Sequence, residues 1–94
     1  MSTMRTSDYI RHIVDAASLA ISYVEGMEEV DFVADPRTQQ AVILNLVIIG
    51  EAATKLLQTD AAFTAQHAEI PWRSMRGMRN RIAHGYFDIN LDVV

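Results

Sequence analysis

The feature that most constrains the fold is a long apolar segment with helical spacing in the middle of the chain. It opens with Asp35, which can cap a helix, and Pro36, which is favoured at a first helical position. The segment is expected to form one helix to about Gln58 with two adjacent apolar stripes. Those stripes are Val42, Leu46, Ile49, Ala53 and Leu56, and beside them Ile43, Val47, Gly50 and Leu57. A helix that is apolar over so wide an arc is buried on more than one side, so we expect one side to face the core and another a second subunit.

The rest of the chain also carries helical spacing and helix boundary signals. The first helix is expected to begin near Ser7, whose hydroxyl can cap it, and to end around Gly26. The other expected elements are a short turn over Asp31–Ala34, a helix over Ala61–His67 capped by Asp60, and a last helix over Pro71–His84 before Gly85. No segment alternates apolar and polar residues between turn signals. The prediction is therefore an all-α bundle of two long antiparallel helices and shorter ones.

Length and composition exclude several classes of protein. The 94 residues are enough for a single domain, residues 1–94, but leave it marginally stable alone, which favours a homodimer. The absence of cysteine excludes a disulfide framework and thiolate metal sites. No apolar signal core precedes Tyr9, and Asn45 interrupts the longest apolar run, which is too short to span a bilayer. A cytoplasmic domain with no membrane contact is expected.

Positive charge is concentrated near the C-terminal end of the chain. The net charge is −4, yet four of the eight Lys and Arg residues fall within nine positions. Those four are Arg73, Arg76, Arg79 and Arg81, and no acid lies between Ile70 and Phe87. A general nucleic-acid-coating protein would be basic throughout. An acidic body with one arginine-rich helix indicates instead a local anion site.

The last helix is expected to have one polar and one apolar face. At 100° per residue, Arg76, Asn80 and His84 follow one another on the polar face. Arg79 lies on the border and is expected to pair with Glu51, the one acid in the middle of the long helix. Arg79 and His84 point about 140° apart on a straight helix. Three features could bring them together: the length of the arginine, a loosened last turn, or a cleft shared with a symmetry mate.

Histidine and arginine together suit the chemistry of phosphodiesters. An imidazole can take a proton from a ribose 2′-hydroxyl or give one to a leaving oxygen, and a guanidinium can stabilise charge on phosphate oxygens. No metal or other cofactor is expected, because the acids are scattered and the three histidines are far apart. His12 and His67 are expected to be ordinary surface or boundary residues, and Trp72 a core residue. From charge pattern alone, a solvated helix face is the commoner explanation.

A resemblance to a known family changes that balance. The segment from Arg79 to Tyr86, RNRIAHGY, resembles the R-x4-H-x-Y signature of the HepT-like branch of the HEPN-domain proteins. Three further stretches resemble the family's helices in the same order. They are Tyr9–Ile13 with Asp15-Ala16, Thr38–Ala41 with Ile49–Ala53, and Ile70–Arg73. The resemblance therefore spans nearly the whole chain.

The resemblance implies an all-α fold that dimerises, with the motifs of both subunits meeting in a cleft. Such proteins are metal-independent endoribonucleases that act as toxins, and their antitoxin is a minimal nucleotidyltransferase. Carried onto this sequence, Arg79 and His84 are the catalytic pair, and Asn80 is the polar residue after the motif arginine. Tyr86 is the residue to which the partner would attach AMP. Arg73 and Arg76 would hold flanking phosphates of the RNA.

Two other functions are compatible with the same residues. One is a binding module for nucleotides or RNA that keeps the anion site without catalysis, and the other is a structural helical partner of the nucleotidyltransferase. Family members usually continue with another helical stretch after the motif. The chain ends at Val94, so it is expected to be a shortened or truncated form.

Overall fold

The computed structural model describes residues 4–85, which form five α-helices and contain no β-strand. The helices are α1 (Thr6–Val24), α2 (Glu29–Val33), α3 (Pro36–Thr59), α4 (Ala61–Gln66) and α5 (Trp72–Gly85). The predicted all-α bundle of two long and several shorter helices is thus confirmed. Tyr86 and the rest of the tail lie outside the described residues.

Two aspartates cap helices where the sequence predicted them. The Asp35 carboxylate accepts the backbone N–H of Thr38 at 3.2 Å and its hydroxyl at 2.7 Å, at the start of α3. Asp60 ends α3 and accepts the backbone N–H of Phe63 at 3.1 Å, which starts α4. Each carboxylate satisfies a backbone donor that the helix itself leaves free.

Two predicted helix starts differ from the structure by one residue. Ser7 is not the cap of α1, because the helix begins at Thr6 and Ser7 lies inside the first turn. Asp8 takes over the capping interaction by accepting the backbone N–H of Arg5 at 2.9 Å. The last helix begins at Trp72, and the carbonyl of Pro71 accepts its first helical hydrogen bond.

Helix α3 lies at the centre of the bundle, and all four other helices contact it. The Thr6 hydroxyl donates to the Asp60 carboxylate, so the start of α1 lies at the end of α3. Trp72, at the start of α5, packs against Ala53 and Leu56 in the second half of α3. Both α1 and α5 therefore run antiparallel to α3 and lie on different sides of it.

The core is centred on the second half of α3. Ala53, Leu56 and Trp72 are buried together, with Leu56 and Ala53 fully excluded from solvent. Side chains from α1, α4 and the loop before α5 pack around them, namely Tyr9, Ile10, Ile13, Phe63 and Ile70. This cluster fixes the position of α5 on α3.

Both apolar stripes predicted on α3 are buried or half-buried within the single chain, the second with Gly50 against α5. The apolar side chains of α3 that stay open to solvent belong to neither stripe. Leu44 is 60% exposed and Ile48 is 36% exposed, whereas Val42 and Ile43 are buried. By length and mean hydropathy α3 could cross a membrane, but the central helix of a soluble bundle meets the same criterion. Its contacts with the four other helices described here fit that central position.

Candidate functional site

The candidate site lies on α5, whose apolar side holds it against α3. Trp72 and Ile82 are 5% and 6% exposed, and Met75 packs against the core cluster. The Trp72 indole N–H donates to the carbonyl of His67 at 3.0 Å, which fixes the start of the helix. Burial of one side of α5 leaves its polar side to face outward.

Arg79 forms the ion pair with Glu51 that the sequence predicted. The Arg79 Nη1 atom lies 3.1 Å from Glu51 Oε1. The two side chains are 25% and 51% exposed, so solvent screens the pair in part. The main effect of this contact is to direct the guanidinium towards α3 rather than to stabilise the fold.

Two further residues of α3, which sequence reasoning did not assign to the site, surround the Arg79 side chain. Arg79 Nη2 donates to the Thr54 hydroxyl at 3.4 Å, and that hydroxyl donates to the Gly50 carbonyl at 2.8 Å. A methyl group at Gly50 would overlap Cβ of Arg79 and lie 2.8 Å from the carbonyl oxygen of Met75. Gly50 therefore permits the close approach of α5 to α3, and Thr54 adds a second contact to the guanidinium.

The Arg79 side chain is held at both terminal nitrogens, but not at Nε. Nε is buried and has no hydrogen-bond partner among the described residues. The guanidinium is thus tied to Glu51 and Thr54, while part of the group still reaches solvent. A fixed, partly exposed guanidinium is suited to receive an anion without first being ordered.

His84 lies on a different side of α5 from the Arg79–Glu51 pair. His84, Asn80 and Arg73 are exposed, and Arg76 is partly buried. The helix remains regular through Gly85, so no loosened last turn turns His84 towards Arg79. In a single chain the two side chains therefore stay about 140° apart around the helix. Of the features considered from the sequence, a cleft shared with a second copy remains the better route to a joint site.

The other histidines of the described chain have surroundings typical of structural residues. His12 is exposed on α1. The ring of His67 lies 4.6 Å from that of Phe63, and its Nδ1 is 3.5 Å from Glu69. Within residues 4–85, no group of three histidine or acidic side chains is arranged to hold a metal ion.

Sequence comparisons agree with the resemblance of the motif helix. The family model described as Ribonuclease HepT-like matches residues 13–94 of this chain. A Thermococcus cleftensis protein named "Probable ribonuclease HepT" is 40% identical over 87 residues, covering 93% of this chain and 76% of that protein. A Caldanaerobacter subterraneus protein named "Putative RNase" is 35% identical over 86 residues, covering 92% and 74%.

A more distant relative extends the same pattern. A Methanocaldococcus jannaschii protein named "Putative RNase" is 30% identical over 86 residues, which are 92% of this chain and 69% of that protein. No solved structure matches the chain significantly. Because the family model and these relatives cover most of the sequence and include the motif helix, the chain belongs to the HepT-like ribonuclease family.

Proposed function

We propose that this protein is a metal-independent endoribonuclease, the toxin of a toxin–antitoxin pair of the HEPN and nucleotidyltransferase type. The observation that carries the proposal is the held guanidinium of Arg79 on the same helix as the exposed His84. Membership of the HepT-like ribonuclease family makes RNA the expected substrate. The acid-free stretch of sequence around these residues favours a polyanion.

The chemistry assigns a separate task to each of the two residues. His84 removes the proton from a ribose 2′-hydroxyl, and the 2′-oxygen attacks the adjacent phosphorus as the bond to the 5′-oxygen breaks. Arg79 stabilises the charge that develops on the phosphate oxygens. His84 then gives that proton to the departing 5′-oxygen, so the products are one end with a 2′,3′-cyclic phosphate and one with a 5′-hydroxyl.

The polar side of α5 supplies contacts to the rest of the substrate. Arg73 and Arg76 hold neighbouring phosphates of the same RNA strand, and Asn80 donates a hydrogen bond near the cleaved bond. Cationic side chains on one face of a helix act on RNA through its backbone, without reading bases. Cleavage with weak sequence preference is the consequence.

A second copy of the chain completes the site in this proposal. Arg79 and His84 point away from each other within one chain, so facing α5 helices would let His84 of one copy approach Arg79 of the other. Leu44 and Ile48 support this arrangement, because they are exposed apolar side chains on the side of α3 that also carries Glu51. Cytoplasmic homodimers would then be the active form.

Control of the toxin would act on the residue just after α5. The cognate nucleotidyltransferase would attach AMP to Tyr86, which lies outside the described residues but follows Gly85 directly in the sequence. Each added phosphate would bring negative charge next to His84 and repel the RNA backbone. Mass spectrometry of the protein co-expressed with that enzyme tests this step, and an unmodified Tyr86 would contradict it.

The test of the whole proposal is cleavage of single-stranded RNA by the wild-type protein and by His84→Ala in EDTA. We expect the wild type to cut and His84→Ala to lose at least about a hundredfold in rate, because general base catalysis is removed. Equal behaviour of the two proteins would remove the enzyme function. Fluorescence anisotropy with the same RNA would then separate a binding module, which binds, from a structural partner of the nucleotidyltransferase, which does not.

A further inference from the structure

Gly77, in the middle of α5, makes no contact within residues 4–85 that would require a glycine. Its backbone is helical, and Gly26 is the only described glycine with positive φ. A Cβ atom at Gly77 would lie more than 4 Å from every neighbouring element that the structure describes, so none of these elements requires the absence of a side chain. Glycine is the poorest helix former apart from proline. The glycine therefore weakens α5, and no packing contact among the described helices compensates for that loss.

Gly77 lies in the middle of the polar side of α5. Arg73 precedes it by one turn and Arg81 follows by one turn, each about 40° away around the helix. His84 lies two turns after Gly77 and about 20° away from it around the helix. The surface at Gly77, which carries no side chain, is thus a gap flanked by the cations Arg73 and Arg81. The proposed general base His84 lies at one end of it. No acid occurs on α5.

We propose that the gap at Gly77 is the place where the RNA strand rests on α5. A glycine allows a ligand backbone to approach the helix backbone closely. The sugar–phosphate chain would cross α5 at Gly77, with its phosphates on Arg73 and Arg81, and continue to His84 about 10 Å along the helix. Gly77 is in this way a substrate-positioning residue. The inference rests on the proposed ribonuclease function and deepens it.

Charge favours RNA over a second copy of the protein as the occupant of this gap. If two α5 helices packed on each other at Gly77, Arg73 and Arg81 of each copy would meet like charges. A polyanion instead gains from both cations and releases its counterions. In the proposed dimer the two α5 helices therefore face each other across the substrate rather than touch at Gly77.

The test compares Gly77→Ala and Gly77→Leu with Ala62→Leu, which adds the same large side chain at an exposed position of α4. Affinity is measured by anisotropy of a labelled single-stranded RNA, with all variants in the His84→Ala background so that the probe stays intact. We expect Gly77→Ala to raise the melting temperature by about 4–8 °C, because alanine is the better helix former. The same change should weaken RNA binding about tenfold, with a larger loss for Gly77→Leu and none for Ala62→Leu.

A variant that is more stable but binds RNA less well separates a substrate contact from damage to the fold. Unchanged RNA affinity of both Gly77 variants would overturn the proposal. If light scattering also showed that these variants lose the dimer while each chain binds RNA as before, the gap would belong to a second copy.

Cleavage by the proteins that retain His84 separates the role of Gly77 from the ribonuclease function. If the wild type and the Gly77 variants cut RNA equally, the positioning role fails and the ribonuclease function stands; if the wild type and His84→Ala do not differ, the ribonuclease function itself fails.

Discussion

At the scale of single residues, Arg79 illustrates how residues of a neighbouring helix hold a side chain in one orientation. The ion pair with Glu51 follows from the sequence, because Arg79 lies at the edge of the apolar side of α5 and few acids are within reach. The bond to Thr54 does not follow, since a threonine in an apolar helix gives no sign of its partner. Thr54 is 8% exposed, and its hydroxyl both donates to Gly50 and accepts from Arg79.

Gly50 gives a stability prediction. In Gly50→Ala the new methyl group would overlap Cβ of Arg79 and crowd the carbonyl of Met75, so α5 must move away from α3. We expect the free energy of unfolding to fall by about 1–3 kcal/mol, as for other overpacked sites. Urea unfolding measures it. Gly77→Ala is the matched control, because it adds the same methyl group in open space, and it should change stability in the opposite direction. A loss of stability in both variants would contradict this account.

Glu51 gives a prediction about catalysis. In Glu51→Gln the guanidinium of Arg79 loses its charged partner while the size of the side chain is kept. We expect the free energy of unfolding to change by less than about 1 kcal/mol, because the pair is partly exposed. The kcat for RNA cleavage should fall by about tenfold or more with little change in KM, because Arg79 is no longer held in place.

Lys55 provides the control for that measurement. Lys55→Gln removes a charge one turn further along α3, where the side chain is exposed and has no described ion pair. Its kcat should equal that of the wild type. If Glu51→Gln and Lys55→Gln behave alike, Glu51 does not position Arg79, and the ion pair is incidental.

At the scale of helices, boundaries were easier to predict than burial. Asp35 with Pro36 marked the start of α3, and Asp60 marked the start of α4, because each signal has a local cause. Asn45, by contrast, interrupts an apolar run in the sequence yet is 5% exposed. Its amide donates to the Ala41 carbonyl at 2.9 Å, and that internal bond makes burial possible. The sequence could not distinguish this from an exposed asparagine.

The cap of α3 predicts a pH dependence. The hydroxyl of Thr38 donates to Asp35 and, with the Thr38 backbone N–H, lowers the pKa of that carboxyl below its usual 3.8. A lowered pKa in the folded state means that the cap stabilises α3 above the unfolded-state pKa. The contribution is lost as the pH falls through the folded value.

Thr38→Val should therefore raise the pKa of Asp35 towards its usual value, measured by NMR titration of the carboxyl. At neutral pH this variant should have a lower free energy of unfolding than the wild type. Below pH 4 that free energy should fall less steeply with falling pH than in the wild type. Thr59→Val is the control, because the Thr59 hydroxyl donates to the Lys55 carbonyl and not to a carboxylate. An unchanged pKa of Asp35 in Thr38→Val would show that the hydroxyl bond is not the cause.

At the scale of the whole molecule, one chain leaves apolar surface uncovered beside its candidate site. The single chain covers both apolar stripes that the sequence predicted on α3, one with α1 and one with α5, whereas Leu44 and Ile48, which belong to neither stripe, remain exposed. Leu44 lies about 20° from Glu51 around α3, two turns away. Because α5 runs antiparallel to α3, the part of α5 that carries His84 extends in the direction of Leu44. A second copy of the protein that binds at Leu44 would thus bring its own α5 close to α5 of the first copy.

The last prediction tests whether this surface joins two copies. Leu44→Glu places a charge on an exposed position, so the fold of the single chain should remain, with unchanged helical circular dichroism. A charge buried without a partner in an interface costs several kcal/mol, so light scattering should show a monomer at micromolar concentration. RNA cleavage should fall with it, because Arg79 and His84 of one chain point apart. Val30→Glu, at a 69% exposed apolar residue of α2, should leave both assembly and cleavage intact. A Leu44→Glu monomer that cuts RNA at the wild-type rate would show that each chain carries a complete site, and the side chains of Arg79 and His84 would then have to converge by a movement within α5.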